Sequence, residues 1–168
     1  MGRPVLAAAC AALALLPTSP AAAADFQKSP HLWATVNVCD TERNPDTLGV
    51  RASMPGSGRR GETMWMRFRV QYYSEREELW HNFTAADGTD SGYIRVGRHA
   101  RYKARQSGYL FPFSPDAGER YRLRGAVEFQ WRRRGRVMRN ARELTTAGHR
   151  AAVADPEGYS AATCDIVG

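Results

Sequence analysis

Arginine side chains recur at every second position in two segments of the chain. Arg67 and Arg69 alternate with apolar residues in the first segment, and Arg122 and Arg124 do so in the second. Each guanidinium presents a planar fork of N–H donors that suits phosphate, sulfate or carboxylate groups. Alternation places such residues on one face of a strand. The pattern therefore predicts a basic sheet face that could bind a polyanion.

Three consecutive arginines, Arg132, Arg133 and Arg134, extend this basic character to the predicted turn at Gly135. Residues 95–150 carry 15 basic and 4 acidic side chains, so most of the formal net charge of +7 lies in one third of the chain. Such a surface could bind a cell-wall polymer, an acidic glycan or a nucleic acid. The alternative is a solvated face without a ligand, because 22 arginines against 2 lysines also fits a simple compositional bias.

Aromatic side chains give a second candidate site. Trp65 lies on the same predicted face as Arg67, and Tyr73 lies on it farther along the segment. Exposed rings on a sheet could stack on the sugars of a carbohydrate ligand. The competing interpretation is that Trp65 covers a sheet edge or packs under a loop. A third possibility is a structural extracellular protein with no small ligand, and another extracellular protein is a possible partner.

Motifs for catalysis are missing from the sequence. It contains no HExxH, GxSxG, P-loop, GxGxxG or CxxC pattern. The acidic residues Glu77 and Glu78 precede His81, but we interpret this group as a solvated turn rather than a catalytic pair. We therefore expect a protein without enzymatic activity, without catalytic residues and without a metal or other cofactor.

The elements that must position these residues are strands. Met64, Met66, Phe68, Val70 and Tyr72 share one parity within Thr63–Tyr73, which is typical of a strand buried on one face. Tyr121–Trp131 repeats this pattern, and residues 121–146 read as a long hairpin that turns at Gly135. Weaker alternating segments raise the expected total to about seven to nine strands. These segments are Leu32–Val38, Leu48–Met54, Glu78–Phe83, Tyr93–Val96, and the pair Ala100–Gln106 and Tyr109–Phe113, which form two strands or one bent strand.

Turn residues separate these segments, for example Asn44-Pro45-Asp46 and Pro55–Gly61. No stretch of ten or more residues has a convincing helical period. Many short strands within a chain of 168 residues predict a single all-β domain, folded as an antiparallel sandwich of two sheets.

The first 24 residues have the features of a secretory signal peptide. Arg3 precedes a 12-residue apolar stretch at 5–16, and a run of alanines ends at Ala24. The stretch is too short to span a membrane. We expect cleavage after Ala24, a mature domain over residues 25–168, and an extracellular location with no membrane span.

Two cysteines, Cys39 and Cys164, remain after Cys10 leaves with the predicted leader. In an oxidising compartment an even pair is most simply a disulfide. We expect this bond to tie the first strand to the C-terminal tail.

Tyr121-Arg122-Leu123 opens a long alternating strand late in the chain, which is similar to the tyrosine corner of immunoglobulin and fibronectin type III domains. The chain also resembles small secreted actinobacterial proteins of unknown activity, on the segments Leu32–Asp40, Val50–Gly56, Tyr102–Gly108, Thr145–His149 and Tyr159–Asp165. The resemblance implies an immunoglobulin-like sandwich and an extracellular location. It implies no activity. The two cysteines do not occupy the positions of the immunoglobulin disulfide.

Overall fold

The computed structural model of the protein describes residues 28–83, 88–98 and 103–168. Within these ranges there is no helix, and none could therefore span a membrane. The predicted leader (residues 1–24) and residues 100–102 of one predicted strand lie outside them. The nine strands of the described residues, in chain order, are β1 (Trp33–Thr41), β2 (Asn44–Pro55), β3 (Glu62–Ser74), β4 (Leu79–Asn82), β5 (Asp90–Arg98), β6 (Ala104–Pro112), β7 (Arg120–Arg133), β8 (Arg136–Leu144) and β9 (Cys164–Val167).

The strands form two antiparallel sheets, which confirms the predicted all-β sandwich. The smaller sheet has the order β1-β2-β6, and the larger sheet has the order β4-β3-β7-β8. Strand β5 pairs with β3 on the same side as β4, and β9 pairs with β7 on the same side as β8. The two arginine-bearing segments, β3 and β7, are therefore neighbours.

The core lies between the sheets and is built from the apolar parity of each long strand. Met66 and Phe68 on β3 and Phe129 on β7 are fully buried, and so is Val50 on β2. Burial of one such side chain stabilises the fold by roughly 1.5–3 kcal/mol. The residues of β3 and β7 that alternate with these buried residues therefore lie on the outer face of the larger sheet.

A disulfide joins Cys39 on β1 to Cys164 on β9, with 5.4 Å between the Cα atoms. The predicted bond is confirmed. Because β9 pairs with residues Arg120–Leu123 of β7, the bond links the smaller sheet to the larger one. The segment that precedes β9 in the chain runs alongside β1 in space. The backbone amides of Asp155 and Ala161 donate hydrogen bonds to the carbonyl groups of Asn37 and Val36.

Two local predictions differ from the structure. Asn44-Pro45-Asp46 was expected as a turn but begins β2, because the β1–β2 hairpin closes two residues earlier, where Thr41 pairs with Asn44. Tyr121 lies at the start of β7 as expected, but its hydroxyl donates to the Glu119 carboxylate at 2.6 Å. A tyrosine corner uses a backbone acceptor instead.

Candidate functional site

The outer face of the larger sheet carries most of the predicted site residues. Trp65, Arg67 and Arg69 of β3 lie on it because the residues between them are buried in the core. Across the β3–β7 pairing, Arg67 lies opposite Glu128. Across the β3–β5 pairing, Arg69 lies opposite Asp90. Acidic side chains of both neighbouring strands therefore flank these arginines.

Arg67 and Arg69 share two carboxylates. Arg67 donates from Nε to both oxygens of Asp90, at 2.8 and 3.1 Å, and from Nη2 to the same group. Arg69 donates to Glu128 at 3.2 Å and lies 3.6 Å from Asp90. We call these four residues the face ladder. Its charges are matched two against two, so it differs from the uniform basic ridge that the sequence suggested.

The face ladder shifts the protonation equilibria of its members. The hydrogen bond from Arg67 lowers the pKa of Asp90 below that of a free aspartate, and the same contact raises the pKa of Arg67. Tyr93 of β5 donates to Glu128 at 2.7 Å. Burial and this hydrogen bond raise the pKa of Tyr93 to about 12. The lowered pKa of Asp90 and the raised pKa of Arg67 both favour the charged forms, which stabilises the pairing of β3 with β5.

The second pair of predicted arginines, on β7, is also engaged. Arg122 donates to Asp165 of β9 at 3.3 Å, beside Arg120, which contacts the same carboxylate at 3.1 Å. Arg124 donates to the Gln71 side chain at 2.8 Å, and its guanidinium lies 4.2 Å from the centre of the Trp80 ring. Burial lowers the pKa of Arg124.

The predicted stacking residues are partly covered. The guanidinium of Arg132 lies 4.6 Å from the ring centre of Trp65, and it is equally close to the ring of Tyr93. The indole nitrogen of Trp65 donates to the Thr63 hydroxyl at 2.8 Å. Tyr73 packs against Trp80 with 5.3 Å between ring centres. A sugar would therefore have to displace Arg132 to stack on that face of Trp65.

The remaining predicted residues, Arg133 and Arg134, lie at the β7–β8 turn and are exposed. Arg134 and Gly135 adopt the positive φ angles of 49° and 78° that close this hairpin. Arg136 pairs directly with Arg133 across it. These residues line an open groove with Met138. No carboxylate of the described residues lies within 4.0 Å of any of the three guanidinium groups.

Three further arginines reach the same end of the sheet from other parts of the chain. Arg98 of β5 is two strands away from β7, because Thr63 of β3 pairs with Arg98 on one side and with Arg132 on the other. Arg59 and Arg60 immediately precede β3, and the Arg59 carbonyl accepts from the Glu62 amide. The six exposed residues, which we call the arginine cluster, are Arg59, Arg60, Arg98, Arg133, Arg134 and Arg136.

The arginine cluster spans four adjacent strands, a width of roughly 15 Å at the usual strand spacing. None of its members forms an ion pair with a described residue, whereas Arg67, Arg69 and Arg122 of the sheet face do. Unpaired like charges at this density produce a positive potential that attracts anions. Sequence reasoning missed Arg59, Arg60 and Arg98, because only the strand register brings them beside the hairpin.

Among the described residues, the acidic turn before β4 contains one histidine–carboxylate contact and no larger group of catalytic or metal-binding side chains. His81 Nε2 lies 2.7 Å from the Glu77 carboxylate, and the imidazole stacks on Tyr72. Glu78 is exposed in the turn. Across the described ranges, no three His, Cys, Asp or Glu side chains are grouped as a metal ion would need.

Comparison with known proteins adds no relative. The chain matches no protein-family model, no curated protein and no solved structure. The site therefore has to be interpreted from its own residues.

Proposed function

We propose that this protein is a secreted, non-enzymatic binding module that engages polyanions through the arginine cluster. The observation that carries the proposal is the contrast between two groups of arginines. Arg67, Arg69 and Arg122 on the sheet face are matched by Asp90, Glu128 and Asp165, whereas the arginines at the hairpin end have no carboxylate partner in the described structure. Unmatched guanidinium groups remain available for phosphate, sulfate or carboxylate groups of a polymer.

A linear ligand fits this arrangement better than a compact one. The cluster lies along the ends of β5, β3, β7 and β8, and its open groove beside Arg133, Arg134 and Arg136 has no deep enclosure. A cell-wall polymer or an acidic glycan presents repeated charges along such a line. We therefore favour these two classes over a small molecule or a protein partner at this end.

The extracellular part of the proposal is supported by the disulfide, since such bonds persist in oxidising compartments. It is also supported by the leader-like sequence at residues 1–24. The immunoglobulin-like part is supported by the adjacency of β3, β7 and β8, which corresponds to the C, F and G strands of that fold.

Carbohydrate stacking at Trp65 and Tyr73 has less support. Arg132 lies over one face of the Trp65 ring, and Tyr73 packs on Trp80. Neutral glycans belong in the binding test because they distinguish the two modes. Stacking on a neutral sugar is nearly insensitive to salt, whereas polyanion binding weakens as salt screens the charges.

The test is binding of the oxidised protein to heparin, poly(glycerol phosphate) and neutral dextran. The site variant is Arg133→Ser, Arg134→Ser and Arg136→Ser in one chain. The matched control removes three exposed arginines from loops elsewhere, as Arg43→Ser, Arg76→Ser and Arg150→Ser. We expect the parent and the control to bind both anionic polymers, and the site variant to lose at least ten-fold in affinity. If both variants lost affinity equally, net charge alone would explain the binding, and the proposed site would be refuted.

A further inference from the structure

A buried arginine on the smaller sheet has no counter-ion among the described residues. Arg51 of β2 points away from the core between the sheets, yet it is only 7% exposed. Its Nη1 donates to the Gln106 side chain at 2.8 Å, and its Nη2 donates to the His149 carbonyl. The guanidinium lies 4.9 Å from the centre of the Trp33 ring, which itself stacks on the His149 imidazole at 4.2 Å.

This environment leaves the charge of Arg51 uncompensated. No carboxylate of the described residues lies within 4.0 Å of it, and its Nε has no hydrogen-bond acceptor. A buried ion without a partner is costly, and proteins usually supply a carboxylate or a bound anion. Burial accordingly lowers the pKa of Arg51. Each Nη nitrogen still has one N–H that neither Gln106 nor His149 accepts.

Arg51 also lines a recess of about 270 Å³ on the outside of the smaller sheet. The side chains of Asn37 and Gln106 line it too, and neither side-chain amide nitrogen donates a hydrogen bond to another described residue. The Ser107 side chain lies on the opposite face of the sheet, because Ser107 pairs with the core residue Ala52. Val153, which is 75% exposed, adds an apolar wall. The recess thus combines one buried cation, two neutral polar groups and an apolar side.

We propose that this recess binds the carboxylate of a small organic anion, with Arg51 as the charged anchor and the side-chain amides of Asn37 and Gln106 as neutral donors. The apolar wall at Val153 suits a short alkyl group attached to the carboxylate. This site is separate from the arginine cluster, and neither proposal depends on the other.

Charge balance favours a monoanion. Burial and the neighbouring Arg51 lower the pKa of His149, so the imidazole is neutral at pH 7 and adds no second positive charge. A phosphate dianion would leave one negative charge without a partner in a largely buried site. A carboxylate matches the single positive charge, and its planar group fits the planar guanidinium.

The test is an NMR titration of the oxidised protein with butyrate and with butyramide, which has the same shape without the charge. We expect butyrate alone to shift the Arg51 Nε–H and Gly108 amide resonances saturably, with a Kd of roughly 1–10 mM for so small a ligand. Arg51→Met should abolish the shifts, and Arg105→Met on β6 should leave them unchanged. Asn37→Ala should weaken binding about ten-fold, as expected for a lost hydrogen bond to a charged group.

Several results would overturn the proposal. Equal shifts with butyramide would show that the carboxylate is not recognised. Tighter binding of inorganic phosphate than of butyrate would contradict the charge argument. If Arg51→Met does not fold, Asn37→Ala and Gln106→Ala decide the question, and unchanged affinity in both would refute the assigned donors.

Discussion

Asp90 holds two arginines of the face ladder, and replacing it tests whether those arginines are structural. Its side chain is 10% exposed, it accepts hydrogen bonds from Arg67, and it lies 3.6 Å from Arg69. Asp90→Asn keeps the shape but removes the charge, which leaves Glu128 as the one carboxylate for two part-buried guanidinium groups. Hydrogen bonds to charged groups contribute about 1.5–3 kcal/mol. We expect the free energy of unfolding to fall by about 2–3 kcal/mol at pH 7.

Asp165→Asn is the matched control for this change. Asp165 also joins two arginines, Arg120 and Arg122, but the three side chains are 37%, 57% and 43% exposed. Ion pairs that exposed typically contribute about 0–1 kcal/mol. Urea denaturation of the two variants should therefore separate them by at least 1 kcal/mol.

The effect of Asp90 should also depend on pH. Because Arg67 lowers the pKa of Asp90 in the folded state, the unfolded chain takes up this proton first as the pH falls. The stabilisation is complete above the unfolded pKa of about 3.9 and is lost as the pH falls through the folded pKa. Asp90→Asn should thus show a flatter loss of stability below about pH 4 than the parent protein.

Two results would refute this reasoning about the face ladder. One is an Asp90→Asn protein as stable as the parent at pH 7. The other is an equal loss in Asp90→Asn and Asp165→Asn, since burial would then have no influence on the strength of the pairs.

Two further predictions concern the core and the crosslink. Removing the disulfide by Cys39→Ala with Cys164→Ala should lower the free energy of unfolding by about 5 kcal/mol, because the bond closes a loop of 125 residues in the unfolded chain; an unchanged urea midpoint would contradict this. Gly125→Ala should destabilise by about 1–3 kcal/mol, because the added Cβ would lie 2.8 Å from methyl carbons of Val50 and Thr145. A Gly125→Ala protein with the same Tm as the parent would contradict this prediction.

The architecture was predictable where the period of two is strict. Thr63–Tyr73 alternates throughout and Tyr121–Trp131 alternates except at Gly125-Ala126, and the two segments form β3 and β7, the two longest strands. The turn at Gly135 was predictable because glycine readily adopts positive φ there. The disulfide followed from having two cysteines after the predicted leader.

The partners of the arginines were not predictable. Parity gives the face on which Arg67 lies, but Asp90 reaches it from β5, where a register shift interrupts the pairing with β3 between Arg67 and Arg69. Arg51 has the parity of a solvent-facing residue, yet His149 covers it from an irregular segment that has no sequence period. Lateral pairing and chain coverage depend on tertiary structure, which alternation along one strand does not encode.

The central claim is that the arginine cluster, rather than the face ladder, binds linear polyanions. The most direct measurement is the salt dependence of affinity for a single-stranded oligonucleotide of thymidine, because each neutralised phosphate contributes a known slope of about 0.7. The variant lacking Arg133, Arg134 and Arg136 should show a slope of log Kd against log salt that is smaller than the parent's by about 2. The control lacking Arg43, Arg76 and Arg150 should keep the parent slope. A site variant with the parent slope, or a control that loses as much, would contradict the account.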